Sequence, residues 1–202
     1  MDMSMRVIDW KEYISPSPTP YSPLPLALTI GVFDGVHKGH QSLIQRICAS
    51  PHIPTVVTFK ENPVKTLKPD AFTGDIINLE QKLSFLEAWG VQLTVLIDFS
   101  PKFSKISGRD FVDLLLGGQA VKLIALGRNF RCGHQLDTGA EEIQGLAGAR
   151  GVEVWIAPPV MDEGQPVSSS RIRQALAAGR RAEAERLLGW PLESIKPNSC
   201  TQ

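Results

Sequence analysis

The 202-residue sequence predicts an α/β fold, a mostly parallel sheet flanked by helices. Three observations predict it. Aliphatic and β-branched runs alternate with stretches of helical spacing, the order expected when each strand returns through a helix. Glycine turns mark strand ends at Asp34-Gly35 and Gly127. The most polar and chemically suggestive segments each follow a strand, which is where ligands bind in such sheets.

The elements follow in order. Residues 1–10 hold a short apolar segment, Val7 and Ile8 with Trp10. Residues 15–25 contain five prolines, which suit neither helix nor central strand, so this stretch reads as an extended connector. The first strand is the apolar run Ala27, Leu28, Ile30, Val32 and Phe33, stopping at Asp34-Gly35. A helix then opens near His37, with Leu43, Ile44 and Ile47 at helical spacing. Residues 55–59 (Thr-Val-Val-Thr-Phe) make a second strand, and 61–74, polar with two prolines, reads as a loop.

Leu79, Leu83, Phe85, Leu86 and Trp89 describe an amphipathic helix ending at Gly90, and residues 91–99 a third strand. A helix over 107–116 stops at Gly117-Gly118, and a fourth strand over 121–126 runs into Gly127. A helix over 141–150, a fifth strand over 152–157 and two helical pieces in 168–188, broken at Gly179, complete the chain.

Composition bounds the function. With 43% hydrophobic residues, 21% charged and a formal net charge of zero, one globular domain with a buried core is expected over 1–190. Balanced charge argues against a nucleic-acid partner. No apolar run reaches membrane-spanning length, and the N-terminal residues lack a signal-peptide pattern. Cys48, Cys132 and Cys200 are odd in number and widely spaced, which implies neither a disulfide framework nor a zinc site. A cytoplasmic protein with reduced thiols is expected. Nothing in the sequence sets an oligomeric state, and a monomer is the expectation.

Three clusters carry chemistry. In Gly31-Val32-Phe33-Asp34-Gly35-Val36-His37-Lys38-Gly39-His40, a strand meets a helix start through a glycine turn. Free amides and the positive helix end there suit phosphate, and imidazole N–H groups add donors. Capping or surface histidines are the plainer reading of His37 and His40; a metal site with His134 as third ligand lacks accompanying cysteines or carboxylates. The second cluster is Ser168-Ser169-Ser170-Arg171 before an apolar-periodic stretch. One hydroxyl suffices for an N-cap, and the surplus with Arg171 suits a polyphosphate tail. The third comprises Asn129, Phe130 and Cys132, between Gly127 and Gly133, together with Phe59, Asn62 and Pro63. These suit either a flat pocket or ordinary loops.

Together these residues resemble the adenylyltransferase module of prokaryotic FAD synthetases, within the nucleotidyltransferases that carry a His-x-Gly-His signature. The resemblance runs from about residue 27 to Pro191 and rests on the 31–40 motif, the Thr-Phe…Pro loop, Asn-Phe-Arg-x-Gly and Ser-Ser-Ser-Arg-Ile-Arg. It implies a Rossmann-like nucleotidyltransferase fold and the reaction FMN + ATP → FAD + pyrophosphate, with Mg²⁺. On that resemblance ATP binds at Gly31, Val32, Phe33, Asp34, Gly35, His37, Gly39, His40 and Ser168, Ser169, Ser170, Arg171. His37, His40 and Arg171 form the catalytic set, while Phe59, Asn62, Pro63, Asn129, Phe130 and Cys132 line the flavin side.

Four positions depart from the family pattern. Cys132 stands where an aromatic is usual, Asn62 where a histidine is frequent, Arg128 where a small polar or acidic residue is common, and Ser170 where threonine is preferred. Residues 191–202 form a short polar tail, so no riboflavin kinase module, and no such activity, is expected of this chain. The alternatives are a related nucleotidyltransferase acting on another phosphorylated acceptor, and a non-catalytic protein that binds flavin or nucleotide.

Overall fold

A computed structural model describes residues 4–15 and 24–194. Most of the proline-dense connector and most of the C-terminal tail lie outside these residues. Strands β1 (Arg6–Asp9), β2 (Leu26–Ile30), β3 (Ile53–Phe59), β4 (Leu93–Ile97), β5 (Val121–Gly127) and β8 (Glu153–Ala157) form one six-stranded sheet in the order β1-β4-β3-β2-β5-β8, parallel throughout. Between β5 and β8 the short strands β6 (Arg131–Cys132) and β7 (Thr138–Gly139) pair with each other, antiparallel. The chain leaves β2 toward β3 and β4, then returns to the other side of β2 for β5 and β8. The order therefore reverses between β2 and β5, and in open sheets of this kind ligands bind beyond the carboxyl ends of the strands at such a switch.

Alternation along the strands divides the core. Leu28, Ile30 and Val57 face α5 (Gly108–Gly117) and α6 (Ala140–Gly148) through Phe111, Leu115 and Ile143. Ala27 and Val56 face α2 (Lys38–Cys48), α4 (Leu79–Ala88), α7 (Ser169–Ala177) and α8 (Arg181–Leu188) through Ile44, Leu86, Ile172 and Leu187. Burial of both faces explains why the strands read as continuous apolar runs.

Besides β6 and β7 inside the 128–139 loop and a third strand shortened to Leu93–Ile97, the structure differs from the sequence reading as follows. The apolar segment near the N-terminus is itself an edge strand, β1, followed by the single-turn helix α1 (Trp10–Tyr13). β2 stops at Ile30 rather than Phe33, because Phe33 is buried in a left-handed turn (φ 54°) rather than on the ladder. The 61–74 stretch holds helix α3 (Pro63–Leu67), with Asn62 capping the Val64 amide and Pro63 fixing the first helical position. A hairpin of β9 (Met161–Asp162) and β10 (Gln165–Pro166), turning at Glu163-Gly164, lies between β8 and α7.

Candidate functional site

The turn after β2 is tightly constrained. Phe33, Gly35 and Val36 all have positive φ, and a Cβ at Gly35 would lie 3.1 Å from both Ile76 and Leu188. Only glycine takes that position without strain. Asp34 bolts the turn in place: Oδ1 accepts from the Ile76 amide at 2.8 Å, and Oδ2 from the Arg173 guanidinium at 2.5 Å. Burial raises its carboxyl above the ordinary range, while the backbone donors and Arg173 oppose that rise.

His37 caps α2. Its Nδ1 accepts the His40 amide at 3.3 Å, which assigns the proton of the neutral ring to Nε2. The two imidazoles stack with centroids 3.7 Å apart, and a Cβ at Gly39 would sit 3.1 Å from the His37 ring. Gly39 therefore makes room for the stack. Burial lowers His37 to about 4. His40 is held well below its usual value by burial first, then by His37 and Lys82. Both rings are therefore neutral at pH 7. The Nδ1 of His40 is buried without a hydrogen-bond partner among the described residues.

The hydroxyl-rich helix start meets this turn directly. Ser169 Oγ donates to the Asp34 carbonyl at 2.9 Å, and Ser168 caps α7 through the Arg171 amide. Ser170 is exposed. The two arginines divide. Arg171 donates to the Asp162 carboxylate at 2.7 Å and to its carbonyl at 2.9 Å, with Glu183 3.5 Å away, so it is anchored on the β9–β10 hairpin. Arg173, about 200° around the helix, reaches Asp34. The cation tied to the turn is thus Arg173, whereas the sequence reading assigns a site role only to Arg171.

The β3 side adjoins the same turn. A pocket is lined by Val32, Asp34, Lys60, Asn62, Asp75 and Lys82. Asn62, besides capping α3, donates to Asp75 at 3.1 Å, and Phe59 packs edge-on to Phe99. Pro63 begins α3.

The loop after β5 lies apart in its contacts. Asn129 is exposed, while Phe130 and Cys132 pack on the α5/α6 face of the sheet. Burial pushes the Cys132 thiol up to about 12, so it stays protonated. His134 Nδ1 lies 3.0 Å from the Ser104 carbonyl. Among the described residues no hydrogen bond joins this loop to the 31–40 turn, whereas the Ser168 and Phe59 segments both adjoin that turn.

Sequence reasoning misses Lys82, Asp75, Arg173 and Asp162. Lys82 does carry a signal: it falls on the apolar stripe of α4, three residues from Leu79 and four from Leu86, where a lysine needs a reason.

Known proteins are similar to this chain in sequence and fold. The sequence profile of a family described as FAD synthetase matches residues 20–171. The bifunctional riboflavin kinase/FMN adenylyltransferase of Escherichia coli (strain K12) is 32% identical over 169 residues, covering 81% of this chain and 54% of that protein. The FAD synthetase of Listeria monocytogenes is 28% identical over 168 residues, covering 81% of this chain and 68% of that protein. The chain thus spans about half the length of most of the curated relatives it matches. A solved structure described as a macrolide-efflux protein from Streptococcus pneumoniae superposes with a TM-score of 0.79 at 32% identity, over 93% of this chain and 63% of that one. A pantoate-β-alanine ligase from Francisella tularensis shares the fold at a TM-score of 0.61 and 17% identity, over 91% of this chain and 80% of that one.

Proposed function

The chain belongs to the FAD synthetase family, and on that premise we propose that it transfers AMP from ATP to FMN, giving FAD and pyrophosphate. One observation carries the proposal. The His37–His40 helix start and the Ser168–Ser169 helix start, 135 residues apart in the chain at the Ser169–Asp34 bond, are joined into a single donor-rich junction beside the switch of strand order. Two helix N-termini at one place suit a triphosphate, whose charge they favour.

The chemistry asks for what this junction offers. A phosphate oxygen of FMN, ionised at neutral pH, attacks the α-phosphorus of ATP. The bond from that phosphorus to the oxygen bridging to the β-phosphate breaks, and pyrophosphate leaves with the electron pair. No protein nucleophile or strong base is needed. Alignment and stabilisation of developing negative charge carry the rate. Neutral His37 and His40 serve as N–H donors to the phosphates, Ser170 is free to donate, and Arg173 supplies positive charge near the turn. The side of the turn lined by Val32 and Asn62 would face the acceptor.

Among the described residues no three His, Cys, Asp or Glu side chains come together to hold a metal. Mg²⁺ would therefore arrive with ATP, bound chiefly by its phosphates and by water. Purified chain incubated with FMN, ATP and Mg²⁺ is expected to yield FAD on chromatography. His40→Ala is expected to lower turnover about 100- to 1000-fold, the usual cost of a lost charge-stabilising donor. Transfer of AMP to a different phosphorylated acceptor, with none to FMN, would overturn the reading.

A further inference from the structure

β2 and β3 stay paired as far as the Gly31 amide, which donates to the Val57 carbonyl at 3.1 Å. Beyond that rung the chains part. One enters the 31–40 turn at Val32, and the other enters the 59–63 loop. The ammonium of Lys82 occupies the fork. It donates to the Val32 carbonyl at 3.0 Å and to the Phe59 carbonyl at 3.1 Å, with Thr58 Oγ1 3.4 Å away. Thr58 Oγ1 itself donates to the Val32 carbonyl at 3.1 Å.

Lys82 is 6% exposed, and among the described residues no carboxylate lies within ion-pair distance of it. An ammonium buried on neutral acceptors costs free energy that a methionine of similar length would not. All three of its protons meet an acceptor, so it replaces the missing rung between two strands that diverge.

We propose that Lys82 is a positioning residue that sets the separation between the nucleotide-side turn and the acceptor-side loop. The inference rests on the adenylyl-transfer reading, in which the two reactants sit on these two segments. In-line attack requires the reacting atoms about 3–3.5 Å apart, and a misplacement of about 1 Å costs on the order of 100-fold in rate. A single ammonium gripping both carbonyls limits such drift.

The charged and titratable groups around the fork are Asp34 on the turn, Asp75 on the loop before α4, His40 on α2 and Lys60 at the pocket mouth. Burial pulls Lys82 down to about 8, against the pull of Asp34 and Asp75. Lys60 is held above its ordinary value by its hydrogen bond to Asp9, and His40 is already neutral. Lys82 is therefore the group of this set that loses its proton just above pH 8. Its ordinary value of 10.5 is higher, so between about 8 and 10.5 the unfolded chain binds more protons. Lys82 thus adds stability as pH rises through that window. Deprotonation removes one of three donors, and the neutral amine keeps two, enough for the Val32 and Phe59 carbonyls.

The test compares wild type with Lys82→Met in three measurements: turnover to FAD, equilibrium ATP binding, and amide exchange at Gly31 and Lys60. Turnover should fall about 100-fold with ATP affinity unchanged and both amides exchanging faster. Unchanged turnover, or turnover and ATP affinity falling in step, would overturn the proposal. Should Lys82→Met not fold, Lys82→Gln, whose shorter side chain keeps N–H donors but cannot span both carbonyls, is compared in the same three measurements, and unchanged turnover overturns the proposal. If wild type makes no FAD, the adenylyl-transfer reading fails by itself. Amide exchange then still decides the tie, since unchanged exchange at Gly31 and Lys60 in Lys82→Met removes it.

Discussion

At the scale of single residues, burial decides what the site histidines are. The sequence suggests His37 as a phosphate donor; in the fold its Nδ1 accepts the His40 amide, which leaves the proton on Nε2. Its folded value of about 4 lies below the ordinary 6.5, so the unfolded chain takes up a proton first as pH falls. The stability tied to neutral His37 is complete above pH 6.5 and is lost as pH drops toward 4. His37→Asn keeps a capping oxygen and removes the titration. The stability gap between wild type and this variant should narrow by about 2 kcal/mol from pH 7 to pH 5, because one proton bound only by the unfolded chain is worth about 1.4 kcal/mol for each pH step of one. Chemical denaturation at the two pH values measures it, and a constant gap would show that the buried imidazole titrates normally. Spacing finds both histidines, but their shared stack and neutral state depend on packing that a linear pattern does not contain.

At the scale of elements, α7 shows what periodicity can and cannot resolve. The serine cap and the apolar face are legible, because Ser168 precedes Ile172 and Ala175 at helical spacing. Which arginine meets the turn is not. Arg171 and Arg173 lie on nearly opposite sides of the helix, and only the position of the β9–β10 hairpin decides which side faces Asp162 and which faces Asp34. That hairpin is made of two-residue strands, too short for a period-2 signal. The pairings differ in consequence. Asp34 is almost fully enclosed and Arg173 is partly exposed, so removing the arginine strands a buried carboxylate. Arg173→Ala should cost about 2 kcal/mol of stability, between the exposed and buried limits for ion pairs. Asp34→Asn in the Arg173→Ala background should recover part of it, since the neutral amide can still accept from the Ile76 and Ile77 amides. A double-mutant cycle by urea denaturation reads the coupling, and strict additivity would mean that the pair contributes nothing to the fold.

At the scale of the whole molecule, the parallel sheet is legible because each central strand is buried on both faces and separated from the next by a helix. Its six-strand extent is not, since β1 has four residues with only Ile8 deeply buried and gives too little pattern. Convergence of the loops at one edge follows from strand order alone, and the contacts grade that inference. The 31–40 turn, the α7 start and the 59–63 loop adjoin, while the 128–139 loop lies on the far side of the β2/β5 switch and packs on the other core. For a dinucleotide-forming reaction at this edge of the sheet, occupancy should appear in two stages. ATP alone should slow amide exchange at 31–40 and 167–173 together, because the Ser169–Asp34 and Arg173–Asp34 bonds make these segments one unit. Adding FMN should then slow exchange at 59–63 and 128–132, leaving the edge strands β1 and β8 unchanged. Protection of 31–40 by ATP without 167–173 would separate the two helix starts. Protection of 59–63 by ATP alone would put the nucleotide on the side assigned to the acceptor, and the order of the two half-sites would have to be reversed.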